Sequence, residues 1–157
     1  MLTYRKPDAL QLVGHADADW AGCKDTKKSM SGYVFTLAGG AVSWKICKQS
    51  IVASSTMYAE FIACYEATGQ AIWLKKFVPG LRVVDSIDKP LKIYCDNTSV
   101  VDNCHNNRSS GATKHIDIKF YVVKERIQDH TIDVEHLGTE KNACGSADKR
   151  PFTQHVE

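Results

Sequence analysis

Asp17, Glu60 and Asp96 are three acidic residues placed where ligands collect. Asp17 lies inside the first run of strand-forming residues. Glu60 lies in the first turn of the first helical stretch, and Asp96 closes the fourth strand-like run. In an open α/β sheet, ligands bind at the carboxyl ends of strands and at the helix starts beside them. Three carboxylates meeting there would repel one another. At about 4 Å and an effective dielectric near 20, each pair costs about 4 kcal/mol. Such a cluster needs a cation, and an oxygen-rich site suits Mg2+ or Mn2+. Two such ions about 4 Å apart activate water and stabilise a leaving oxygen in phosphodiester cleavage. A single Asp at a strand end is more often a turn or helix cap than a metal ligand, so position alone leaves both readings open. Asp19 rivals Asp17, because residues two apart on a strand share a face.

The elements that must position these residues follow from periodicity. Residues 11–20, 31–37 (Ser-Gly-Tyr-Val-Phe-Thr-Leu) and Ala41 to Ile46 read as three strands, with Gly39-Gly40 as the turn before the third. Short connections imply an antiparallel meander. The period then changes. Ser54-Ser55-Thr56 offers N-cap hydroxyls, and Phe61, Cys64, Tyr65, Thr68 and Ile72 recur at helical spacing until Pro79-Gly80. Leu91 to Cys95 reads as a strand, with a brief helix around Val100 and Val101 after it. Residues 105–113 read as loop. Ile116, Phe120, Val123 and Ile127 mark another helix, and Thr131 to Leu137 alternate as a strand with Ile132, Val134 and His136 on one face. Residues 139–157 carry only a weak helical pattern. The order βββ-α-β-α-α-β-α implies an α/β fold, a five-stranded mixed sheet with helices on its faces.

Length and composition bound the rest. The 157 residues fit one domain, and 43% hydrophobic with 24% charged residues is ordinary globular composition. No apolar run approaches the roughly 18 residues of a membrane span, and no secretory signal opens the chain. Cys23, Cys47, Cys64, Cys95, Cys104 and Cys144 include no C-x-x-C pair, which argues against a zinc ribbon or a thioredoxin motif; they read as free thiols of a reducing compartment rather than disulfides. A formal net charge of +2 demands no anionic partner, so binding of nucleic acid would rest on local clusters.

The local wording adds a resemblance. His15-Ala16-Asp17-Ala18-Asp19-Trp20-Ala21-Gly22, Lys28-Ser29-Met30-Ser31-Gly32-Tyr33-Val34-Phe35 and Ala41-Val42-Ser43-Trp44-Lys45 come first. Ser54-Ser55-Thr56 through Ala59-Glu60-Phe61-Ile62-Ala63, Ile93-Tyr94-Cys95-Asp96-Asn97 and Thr113-Lys114-His115-Ile116-Asp117-Ile118-Lys119 follow. In this order the blocks closely resemble the ribonuclease H domain of copia-type LTR retrotransposon polyproteins, over roughly residues 11 to 140. The resemblance implies a ribonuclease H-like fold over 11–157, with residues 1–10 a linker remnant from an upstream reverse transcriptase domain. It implies Mg2+-dependent hydrolysis of the RNA strand of an RNA–DNA hybrid, with Mn2+ as substitute. It places catalytic, metal-holding carboxylates at Asp17, Glu60 and Asp96, and prefers Asp17 to Asp19. It implies cytoplasmic particles, although a stand-alone fragment could equally be nuclear.

Two departures from the family pattern stand out. Met57 and Tyr58 replace its usual acidic wording before Ala59-Glu60, with Glu60 still in place. The family's Ala-Asp pair, which opens the last helix and supplies a fourth carboxylate, falls without a gap on Cys144-Gly145. With three residues inserted it falls on Ala147-Asp148, so Asp148 is the candidate fourth catalytic and metal residue. The departure leaves room for a weakened or co-opted module that binds nucleic acid or a protein partner without cutting. Several other residues have two readings. Ser54, Ser55 and Asn97 could reach a 2′-hydroxyl, the group that separates RNA from DNA, or simply cap helices. Lys114 and His115 could touch substrate or be structural. Lys24, Lys27 and Lys28 could meet phosphates or form a solvated turn. Trp44, beside Lys45 and Lys48, could contact a nucleic-acid backbone, but the core is its favoured place.

Overall fold

The computed structural model describes residues 11–23, 25–81, 89–106 and 114–137, with backbone alone for 114–116. Three strands come first: β1 (Leu12–Asp19), β2 (Met30–Leu37) and β3 (Gly40–Lys48). Then come helix α1 (Thr56–Gly80), strand β4 (Leu91–Cys95), helices α2 (Thr98–His105) and α3 (Lys114–Gln128), and strand β5 (Ile132–His136). The five strands form one sheet in the order β3-β2-β1-β4-β5. β1–β2 and β2–β3 pair antiparallel, whereas β1–β4 and β4–β5 pair parallel, so the sheet is mixed.

The β2–β3 turn lies one residue earlier than its glycines suggest. Ala38 (φ 55°) and Gly39 (φ 80°) both take left-handed conformations, and Gly40 already pairs with Leu37. Two central residues with positive φ match the twist of a two-residue hairpin.

One face of the sheet carries the core. Leu12, Ala16, Phe35, Leu91, Ile93, Ile132 and Val134 bury against α1 and α3. On α1, Ala59, Ala63, Ala67 and Ala71 recur every four residues, all fully buried, and their small side chains let the helix lie close to the strands. Phe61 of α1 stacks on Phe120 of α3 with ring centroids 3.6 Å apart. Gly14 of β1 leaves room for Phe35: a Cβ there would sit 2.5 Å from Phe35 Cε1. Pro79 falls in the last turn of α1, where the helix is already ending, and Leu81 closes it with its amide on Val78 O at 3.1 Å.

Trp44 corrects the expectation that it sits in the core: it is 69% exposed. On β3 the alternate residues Ser43 and Cys47 face α1, through Gln70 Nε2 on Ser43 Oγ (3.0 Å) and Cys47 Sγ on Glu66 Oε2 (3.0 Å). Val42, Trp44 and Ile46 therefore point away from the helices and are all exposed. His136 shares a face with Ile132 and Val134, as read, but lies exposed at the strand's end. Cys23, Cys47, Cys64, Cys95 and Cys104 are free thiols, so no disulfide occurs among the described residues. No described helix is long and apolar enough to cross a membrane. The linker reading of 1–10, Lys24, Cys144, Gly145, Asp148 and the weak helical pattern of 139–157 lie outside the described residues.

Candidate active site

Strand order creates the site. From β1 the chain runs to β2 on one side, and β4 returns on the other, so the carboxyl ends of parallel neighbours β1 and β4 border a switch point. The β1–β4 pairing ends at His15↔Tyr94. Asp17 lies two residues beyond on β1, and Asp96 directly follows β4. Both are exposed. Asp17 stands opposite Gly32 of β2, which offers no side chain to cover it.

Glu60 comes from α1, as the fifth helical residue rather than in the first turn. Ser55 caps this helix, its Oγ accepting from Tyr58 N (3.4 Å). A polar lattice holds the helix start against the sheet. Gln49, buried just past β3, donates from Nε2 to Ser31 Oγ (2.8 Å) and Ala59 O (2.9 Å). Trp20 Nε1 donates to Ala53 O (3.3 Å), joining the end of β1 to the segment before α1. Glu60 is thereby locked in place at 4% exposure.

One atom of Glu60 is left over. The Ala18 backbone lies near enough to ease the carboxyl slightly downward, but Oε2 is buried with no protein partner. Burial above all, then the charge of Asp96, then that of Asp17, pushes the Glu60 carboxyl up to about 8. Glu60, Cys95 and Asp96 each bring a donor atom within 4.8 Å of the others. An orphaned buried carboxylate oxygen amid further carboxylates fits a divalent cation, which would supply the missing charge and partner. Asp17 lies outside that triplet but close enough to act on Glu60 electrostatically.

The surroundings are less acidic. Asn97 caps α2, its Oδ1 accepting from Val100 N (3.3 Å). His136 Nε2 lies 3.0 Å from Asp96 O, tying β5 to the loop that carries Asp96. Burial pushes the Cys95 thiol up to about 12. The neighbouring Cys104 thiol and burial together drive the Cys64 thiol upward. On the outward face of β1, His15 rests 5.4 Å from the Tyr94 ring.

No protein-family model matches the chain. A Nicotiana tabacum retrovirus-related Pol polyprotein from transposon TNT 1-94 is 40% identical over 131 residues, covering 83% of this chain and 10% of that protein. An Arabidopsis thaliana Pol polyprotein from transposon RE1 is 30% identical over 135 residues, covering 86% of this chain and 9% of that protein. The structure of LC11-RNase H1, isolated from compost by a metagenomic approach, superposes with a TM-score of 0.58 at 17% identity, covering 86% of this chain and 89% of that one. The chain belongs with transposon Pol polyproteins and has the ribonuclease H fold. It spans about a tenth of the length of those Pol relatives. LC11-RNase H1 has also been solved in complex with an RNA/DNA hybrid, and that structure superposes with a TM-score of 0.54 at 16% identity over 85% of this chain and 89% of that one.

On the ribonuclease H sheet, the sequence-read residues separate into groups. Glu60 and Asp96 converge, with Asp17 beside them. Asp19 is exposed at the end of β1, where its Oδ2 would meet a Cβ at Gly22 at 2.2 Å. Ser55 and Asn97 each accept a capping hydrogen bond, and Ser54 is exposed beside them. The side chains of Lys114 and His115 lie outside the described part. Lys48 hydrogen-bonds Cys23 Sγ (3.0 Å) and, as the largest influence, holds that thiol down at about 6. Sequence reading missed Cys95, Gln49, Trp20 and His136 as parts of the site. Cys95 carried a signal, its place directly before Asp96. The others act through contacts 10 to 40 residues away in sequence, which no local pattern marks.

Proposed function

We propose that this domain is a copia-type ribonuclease H that hydrolyses the RNA strand of an RNA–DNA hybrid. The observation that carries the reading is the burial of Glu60, with an unpartnered carboxylate oxygen, beside Asp96 and Asp17 at the switch point. Asp17, Glu60 and Asp96 would hold two Mg2+ ions, or Mn2+ in their place, with Asp148 as the fourth carboxylate. Held by these carboxylates, the cations would supply an acidified water and positive charge facing the leaving 3′ oxygen.

The chain's own contribution is positioning. Glu60 is set rigidly by the Ser55 cap and by Gln49, and it surrenders its proton when positive charge arrives. Asp17 and Asp96 stay at the solvent edge, where a phosphodiester can approach. The hybrid is read by shape, backbone and 2′-hydroxyls rather than by base sequence. The upstream reverse transcriptase domain of the parent polyprotein would help hold it.

The test uses a hybrid labelled on its RNA strand, incubated in Mg2+, in Mn2+ and with EDTA. Asp96→Asn should lower cleavage at least about a hundredfold, the loss that supporting residues alone can cause, and keep hybrid binding. Retained Mg2+-dependent cleavage by the variant would refute the assignment. Hybrid bound by the unaltered chain but never cut would point instead to a co-opted binding module, the reading that the Cys144-Gly145 departure favours.

A further inference from the structure

Magnesium chemistry has no use for sulfur, yet a thiol sits within the acidic centre. The Cys95 Sγ and one carboxylate oxygen each of Glu60 and Asp96 lie within 4.8 Å of one another. Donors around a tetrahedral zinc ion stand about 3.3–3.8 Å apart, given Zn–S near 2.3 Å and Zn–O near 2.0–2.2 Å. The triplet is thus within a small side-chain adjustment of a zinc shell. A second observation points the same way: Oε2 of Glu60 is buried and takes no hydrogen bond, so this carboxylate keeps an unsatisfied oxygen inside the centre. Cys95 and Asp96 are adjacent at the end of β4, and Glu60 is fixed by the capped start of α1. All three donors therefore come from well-held backbone.

We infer that Cys95 makes this centre a trap for thiophilic divalent cations: Zn2+ binds through Glu60, Cys95 and Asp96 and displaces the hard ion. The inference rests on the proposed function, since it takes the carboxylates to be the Mg2+ site. Thiolate strongly selects soft or borderline cations over Mg2+, which prefers six oxygens and near-octahedral geometry. On binding, the thiol proton and any proton held by Glu60 leave to solvent, and S–Zn and O–Zn bonds replace S–H and O–H. A tetrahedral ion with a sulfur ligand leaves no place for the paired hard ions, so cleavage stops while the fold persists.

Cd2+ is the probe, because it shares zinc's preference for thiolate and gives an ultraviolet thiolate-to-metal absorption. The whole chain is freed of metal with a chelator and titrated with Cd2+, alone and in excess Mg2+. Mg2+ binding to the same samples is measured by calorimetry. The first equivalent of Cd2+ should give the absorption, persist in Mg2+ and yield to Zn2+. Cys95→Ser should lose it and weaken Cd2+ at least about a hundredfold, while still binding Mg2+. Glu60→Gln should weaken the same band, a response that an isolated surface thiol would not give. Cys95→Ala, checked for native circular dichroism, guards against a folding defect in the serine variant. An unchanged first-equivalent band in Cys95→Ser and Cys95→Ala, with Mg2+ still bound, overturns the inference alone. Failure of the unaltered chain to bind either Mg2+ or Cd2+ overturns the inference and the proposed function together.

Discussion

At Glu60 burial and two like charges act in one direction, and the consequence for stability has a definite sign. The native carboxyl is pushed up to about 8, from an ordinary value of 4.5. Between these values the folded chain holds a proton that the unfolded chain has lost, so stability falls as pH rises through that window. Below pH 4.5 the penalty is absent, and above 8 it is complete, at up to about 5 kcal/mol. Calorimetric unfolding in chelator should show Tm declining from pH 5 to 8.5, and Glu60→Gln should flatten the decline and unfold later at pH 8. An equal decline in the variant would mean that another group titrates there. The three acidic positions stood out in the sequence at strand ends and a helix start, but position alone left a capping reading open, and it was the family wording that singled them out. That Glu60 would be the buried one, and Cys95 its neighbour, was not legible there. Which side chains face inward where α1 meets the end of β4 is decided by packing that spans 35 residues of chain.

Among the elements, α1 has the most to position, and its start is set by one hydroxyl. Ser55 Oγ accepts from Tyr58 N, and Ala59 N bonds Ser55 O at 3.1 Å. Ser55→Ala should cost about 1 kcal/mol in denaturant unfolding. An effect below a few tenths would show that Gln49 on Ala59 O suffices to hold the turn. Ser54-Ser55-Thr56 announced this cap, and the helix and strands followed their periods closely. β3 shows where period fails. Val42, Trp44 and Ile46 alternate as a buried stripe should, yet face away from the helices, while Ser43, Lys45 and Cys47 face α1. Alternation fixes that two faces differ, but an edge strand packed on one side does not declare which face the helices will take. The turn before it slipped for a related reason: Ala38 adopts a positive φ that sequence rules reserve for glycine and asparagine.

For the whole molecule, the site is a junction of chain segments that meet only in the finished fold. Its carboxylates come from β1, α1 and the end of β4, and β1 and β4 are joined by pairing across some 80 residues. A cation bound there acts on the fold as a ligand that the unfolded chain cannot match. At a hundred times its dissociation constant it adds about 2.7 kcal/mol, or roughly 5–11 °C in Tm for a chain of this size. Mg2+ should therefore raise Tm at pH 8, and Asp96→Asn should abolish the rise; an equal rise in the variant would place the ion elsewhere. The mixed sheet was legible as a whole, because a meander followed by helix-separated strands admits few topologies. The surface was less so, and it has an optical consequence. The chain's three tryptophans, Trp20, Trp44 and Trp73, are 48%, 69% and 51% exposed. With about half or more of each residue open to water, melting the core should shift their emission little, which an emission scan across the unfolding transition checks. Only Trp20, pinned by its indole N–H to Ala53 O just ahead of α1, reports on the neighbourhood of Glu60. Fluorescence is thus a poor thermometer for this protein and, with Trp44 and Trp73 replaced by phenylalanine, a local lamp on its acidic centre.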